Sequence, residues 1–186
     1  NEDAELLSQF ANCGQSISEV NPISLVEAIA PHVAAARIGR ELSLDEVAQG
    51  FEKVLSLKAD INLTEGAGGW RLPLNLNSSK PIFLSDFAIN TEQDVILVVN
   101  MKLGCLNHAL LSYQAIIADG LNCIAWIANS ASSERMSSLD ENIASLEQLL
   151  PMPKIAQLHY YDDTTMSVHN KICAAANKID LTPLFI

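Results

Sequence analysis

The chain has 186 residues, 49% of them hydrophobic and 18% charged, a balance that supports one folded domain over residues 1–186 and excludes disorder as the main state. Its 22 acidic residues against 11 basic ones leave a net charge of −11, which excludes a nucleic-acid surface, because phosphate binding needs clustered Lys and Arg and these are scattered. No apolar run reaches the length of a membrane span and no signal peptide opens the sequence, so a soluble, cytoplasmic protein with no membrane partner is expected.

The sequence starts NEDAELL, without Met, in what reads as a helix, so further sequence is expected to precede it. Ser43, with Glu46 three residues on, reads as a capping box for a helix whose apolar face is Leu44, Val47, Phe51 and Leu55. A strand is expected at residues 61–64. VILVVNM, residues 95–101, is continuous and β-branched, as a strand covered on both faces should be. Over residues 105–118, Leu106, Ala109, Leu110, Tyr113, Ile116 and Ile117 recur at helical spacing. NCIAWIAN, residues 122–129, reads as a second buried strand. A helix over 138–150 follows, with Leu139, Ile143, Leu146 and Leu150 on one face, then a strand at 155–159 and a last helix over 164–178. This alternation predicts an α/β fold, a parallel sheet with helices on both faces. Cys13, Cys105, Cys123 and Cys173 form no CxxC pair and read as reduced, buried thiols.

In open parallel sheets ligands gather at the carboxyl ends of strands, which points to three junctions. Glu65 ends the first strand, and the glycines of EGAGG let the backbone pass close to a ligand. A carboxylate there suits a hard cation such as Mg²⁺, completed by phosphate and water. A tight turn with a solvated Glu accounts for the same residues. In MKLGCLNHALL, Gly104 and Cys105 begin a helix whose free N–H groups attract an anion, with the Asn107 amide and the Lys102 charge beside them. An ordinary strand-to-helix turn is the competing reading. Cys105 as a nucleophile lacks a suitably spaced His–Asp partner. At the third junction Asn129 offers a donor and an acceptor that match a purine edge, as they would also match a turn or cap. His32, His159 and His169 show no metal-ligand spacing and read as structural.

Taken in this order, APHVAAA (30–36), EGAGGW (65–70), VILVVNMKLGCLNHALL (95–111) and IAWIAN (124–129) closely resemble the dethiobiotin synthetase family of biotin biosynthesis, and the resemblance runs from Asn1 to the end. It implies a homodimeric, P-loop NTPase-like fold that uses ATP, Mg²⁺ and CO2 or bicarbonate to close the ureido ring on 7,8-diaminononanoate. By matching residue, Asp3 and Glu65 correspond to carboxylates at Mg²⁺ and ATP, and Gly66, Ala67 and Gly68 to the lining of the nucleotide. Asn129 and Ser130 resemble the adenine-reading corner, and His159, Tyr160 and Tyr161 its far wall, although QLHYY lacks the proline usual in that loop. Gly104, Cys105 and Asn107 resemble the helix N-terminus that receives the substrate's carboxylate tail across the dimer interface. The family opens with a strand, a phosphate loop of the GTDTxVGKT type and a helix, then a KP-containing segment whose Lys works at the substrate carbamate. Neither GxxxxGKS nor GxxxxGKT occurs in these 186 residues, so the strand and phosphate loop are absent from this chain and no catalytic side chain is assigned within it. The chain is expected to be the larger C-terminal part of a longer protein. A shortened, non-catalytic relative that keeps the dimer and binding surface, and a related P-loop ATPase sharing the EGAGG corner, are the competing readings.

Overall fold

The structure, a computed structural model, describes residues 2–161 and 166–185. The chain divides into two compact units, Asn1–Thr91 and Glu92–Ile186, which are taken in turn.

In the first unit the opening residues form helix α1 (Glu2–Phe10), followed by the short α2 (Ile17–Val20) and α3 (Pro31–Arg37). Proline opens α3 because its missing N–H costs nothing in the first turn. Helix α4 (Leu44–Ser56) starts where the sequence indicates, with the Ser43 hydroxyl accepting the Glu46 N–H at 3.2 Å. The return half of the capping box does not form, because the Glu46 carboxylate pairs with Arg40 instead. Strands β1 (Pro73–Asn75) and β2 (Ile82–Phe83) pair antiparallel and lead into α5 (Leu84–Asn90). The core here is small: Ala35, Leu42 and Leu74 are buried, with Ile23, Leu25, Leu44, Val47, Ile82 and Leu84 packed around them. Phe51 meets Phe87 edge to face at 5.2 Å, joining α4 to α5. Leu55, expected on the buried face of α4, is 46% exposed near the helix end.

Residues 61–64 form no strand. Ile61 and Leu63 are 65% and 81% exposed, and no described residue pairs with this segment. Its alternating pattern is compatible with a strand, but a strand exists only when a neighbour takes its N–H and C=O groups.

The second unit is a three-stranded parallel sheet in the order β3 (Val95–Asn100), β4 (Cys123–Asn129), β5 (Lys154–Leu158), flanked by helices. Helix α6 (Cys105–Ala118) carries the chain from β3 to β4, and α7 (Leu139–Leu149) from β4 to β5. Central β4 buries Cys123, Ala125, Trp126 and Ala128. From α7, Leu139, Ile143 and Leu146 are buried, as is Leu150 just beyond it, so the whole predicted face lies inside. On α6, Cys105, Ala109 and Ile116 are buried, whereas Ile117 is 46% exposed, because the helix covers one side of the sheet with a stripe too narrow for adjacent residues 116 and 117.

Strand β3 departs from its expected burial on both faces. It lies at the sheet edge among the described residues, and Val98 is 57% exposed, since one face lacks a full cover. The last helix, α8 (Val168–Ala176), starts later than predicted, where the Ser167 hydroxyl accepts the Asn170 N–H at 3.2 Å; residues 164 and 165 lie outside the described residues. Among the described residues no helix is long and apolar enough to cross a membrane.

Candidate nucleotide and substrate site

In the second unit the three strand ends meet in register. Asn100, Asn129 and Leu158 end adjacent strands as paired positions. Two backbone bonds extend the sheet past its last pairs: Met101 N–H donates to the Asn129 carbonyl at 2.8 Å, and Ser130 N–H to the Leu158 carbonyl at 3.0 Å. The turn into α6, the Asn129–Ser130 corner and the loop at His159, Tyr160 and Tyr161 therefore all leave from one edge of the sheet. Asn129 is partly buried and its side-chain amide has no partner among the described residues, so donor and acceptor are both available. His159 and Tyr160 are exposed, and Tyr161 is partly buried.

Between β3 and α6 the chain turns through Gly104, whose φ of 93° and ψ of −4° fall in the left-handed region. That conformation suits glycine because it has no Cβ to clash. Cys105 is 2% exposed, so its sulfur packs into the core, and its N–H is already spent on the Lys102 carbonyl at 2.9 Å. The burial argues against a nucleophile and makes Cys105 the anchor of the turn. Leu106 and Asn107 supply first-turn N–H groups, which an α-helix leaves without intrahelical acceptors. Asn107 and Lys102 are exposed beside them, so a donor amide and a positive charge flank the positive end of the helix dipole.

In the first unit Glu65, Gly66, Ala67 and Gly68 are all exposed. Gly68 takes φ of 78°, and a Cβ there would stand 3.0 Å from Leu72 Cδ1, so the turn admits little but glycine. The far end of the loop is tied down: Arg71 Nη1 donates to the buried Ser85 hydroxyl at 3.3 Å, and Leu84 N–H to the Leu72 carbonyl at 2.8 Å. Arg71 and Ser85 escape the sequence reading; a lone cation directly after GGW was the available signal. Asp3 lies exposed in the first turn of α1. Neither Asp3 nor Glu65 has an ion pair among the described residues, which leaves both carboxylates open to a cation. No three His, Cys, Asp or Glu side chains gather into a metal-holding group among the described residues. Carboxylates of this kind are oxygen donors suited to a hard cation that keeps several waters and takes only one or two carboxylates beside phosphate oxygens.

The thiols divide in two. Cys105 and Cys123 are buried, and burial raises the Cys123 thiol to about 11, whereas Cys13 and Cys173 are exposed, against the expectation of four buried thiols. Cys13 lies in the non-helical stretch between α1 and α2, and α8, which carries Cys173, buries none of its residues. The fold places Cys173 Sγ 3.5 Å from His169 Nε2, one turn apart on α8.

A family model described as an AAA domain matches residues 1–167. The ATP-dependent dethiobiotin synthetase of Alteromonas mediterranea is 46% identical over 166 residues, which take in 86% of this chain and 71% of that protein. The ATP-dependent dethiobiotin synthetases of Pseudomonas aeruginosa and Cellvibrio japonicus are 40% and 42% identical, covering 100% and 99% of this chain and 77% and 75% of their own lengths. On this similarity along nearly its whole length, the chain belongs to the dethiobiotin synthetase family.

Proposed function

We propose that this chain serves the ATP- and Mg²⁺-dependent carboxylation and ring closure of 7,8-diaminononanoate with CO2, giving dethiobiotin, as a homodimeric ligase of biotin synthesis. The observation that carries the reading is the shared sheet edge, from which the α6 turn, Asn129 and the His159 loop all emerge. In this reading the open amide of Asn129, with Ser130, reads the adenine edge, and His159, Tyr160 and Tyr161 form the far wall. Gly66, Ala67 and Gly68 let the nucleotide approach bare backbone. Asp3 and Glu65 are the carboxylates that would hold Mg²⁺, which when bound neutralises charge on the phosphates.

The substrate's carboxylate tail sits at the start of α6, held by first-turn N–H groups and the Asn107 amide, with Gly104 and Cys105 shaping the turn. Fixing the tail fixes both amines. A carbamate forms on one amine, its oxygen takes the γ-phosphate of ATP, and the second amine closes the ring as phosphate leaves. Much of the gain is positional, since the reacting groups no longer have to find each other. Leu103 is 93% exposed and Leu111 is 55% exposed near this helix, apolar area that supports a second copy packing there.

The test is Glu65→Gln in the natural gene product. Loss of a metal-holding carboxylate is expected to lower kcat roughly a hundredfold or more, with an unchanged unfolding curve. Unchanged turnover would remove Glu65 from the site.

A further inference from the structure

Helix α8 carries two metal-competent side chains, His169 and Cys173, four residues apart and both exposed. That spacing sets them on one side of the helix, one turn from each other. Their donor atoms meet: Cys173 Sγ stands 3.5 Å from His169 Nε2. The histidines show no ligand spacing among themselves, but here the partner is a thiol.

The distance decides what the pair can hold. On a tetrahedral zinc ion, a nitrogen at about 2.0–2.1 Å and a sulfur at about 2.3 Å stand about 3.5 Å apart, the separation found here. Small side-chain rotations therefore close the pair on such an ion, with the helix backbone unmoved. A thiolate and an imidazole select a thiophilic, borderline-soft cation, whereas Mg²⁺ takes oxygen ligands and belongs with carboxylates. We propose that His169 and Cys173 form a surface site for a zinc-class cation, with water completing the shell, and that the bound ion staples one turn of α8 to the next. The thiol gives up its proton on binding. None of the residues of α8 is buried, so this helix has the most to gain from a tie across its own surface. The site is independent of the reaction proposed above.

Zinc is spectroscopically silent, so Co²⁺ is the probe, added to the reduced natural gene product. One saturable thiolate-to-cobalt charge-transfer band is expected, reversed by Zn²⁺, which binds more tightly, and untouched by a large excess of Mg²⁺. His169→Ala and Cys173→Ser, at exposed positions and checked for folding by circular dichroism, are each expected to weaken Co²⁺ binding about tenfold or more. Cys13→Ser should leave the band in place. No saturable band, or a band that survives in Cys173→Ser, would overturn the site. Unchanged affinity in His169→Ala would reduce it to a single thiol and overturn the pair. Zn²⁺ is also expected to slow amide exchange in α8 of the wild type and not of His169→Ala; equal exchange with and without Zn²⁺ in the wild type would overturn the staple.

Discussion

Gly104→Ala separates backbone strain from crowding at the start of α6. A Cβ at this position would meet nothing closer than His108 Cε1 at 3.7 Å, an ordinary contact, so there is room for the methyl group. The cost is therefore conformational: at φ of 93° an L-residue is held in the left-handed region, a penalty of about 1–2 kcal/mol. For a chain of this size that corresponds to a drop in Tm of roughly 2–8 °C. Thermal and urea unfolding followed by circular dichroism measures it. Gly104→Asn supplies the control, because Asn tolerates the left-handed region and should recover a large part of the loss. If Ala stays within about 0.5 kcal/mol of the wild type, or if Asn is no better than Ala, strain at φ is not what reserves this position for glycine.

Asn107→Ala is expected to weaken binding of the substrate's carboxylate tail by about 1 kcal/mol, roughly fivefold in Kd, with ATP affinity unchanged by calorimetry; a selective loss of ATP affinity would show the tail site to be misplaced. Leu146→Ala, at a side chain with 0% exposure, should cost about 2–5 kcal/mol in urea unfolding; a cost under about 1 kcal/mol would contradict its place in the core. The Cys123 thiol, raised by burial from an ordinary 9.0 to about 11, keeps its proton in the fold while the unfolded chain releases it. Stability is thus full below pH 9.0 and declines toward pH 11, by on the order of 2 kcal/mol, and Cys123→Ala should flatten that decline. At pH 8 a thiol reagent should label Cys13 and Cys173 quickly and Cys123 slowly; fast labelling of Cys123 would contradict its burial.

The helix over residues 105–118 and the inward face of α7 were legible because local periodicity alone determines them: Leu139, Ile143, Leu146 and Leu150 repeat at helical spacing whatever lies opposite. Strand assignments fared differently, since a strand is a relation between two segments. VILVVN and IAWIAN found each other, whereas Ile61 and Leu63 alternate as a strand would and have no pairing strand among the described residues. The same limit hid the half-exposure of β3, because a β-branched run reads alike at a sheet's edge and at its centre. In the site, glycines and strand ends named the turns, but the bonds knitting those ends together, Met101 to Asn129 and Ser130 to Leu158, are backbone bonds between distant residues that no side-chain motif announces. The burial of the Cys105 side chain agrees with the sequence argument against a nucleophile, whereas its N–H, expected to be free, is taken by the Lys102 carbonyl, a local bond that no side-chain motif announces.

The edge position of β3 also has a colloidal consequence. Val95 to Asn100 carries neither proline nor charge, and among the described residues no strand pairs with its outer rim of N–H and C=O groups, the kind of edge on which another strand can add. A net charge of −11 opposes such strand-to-strand pairing in neutral solution. That opposition falls away near pH 4.6, where the protein is expected to be least soluble.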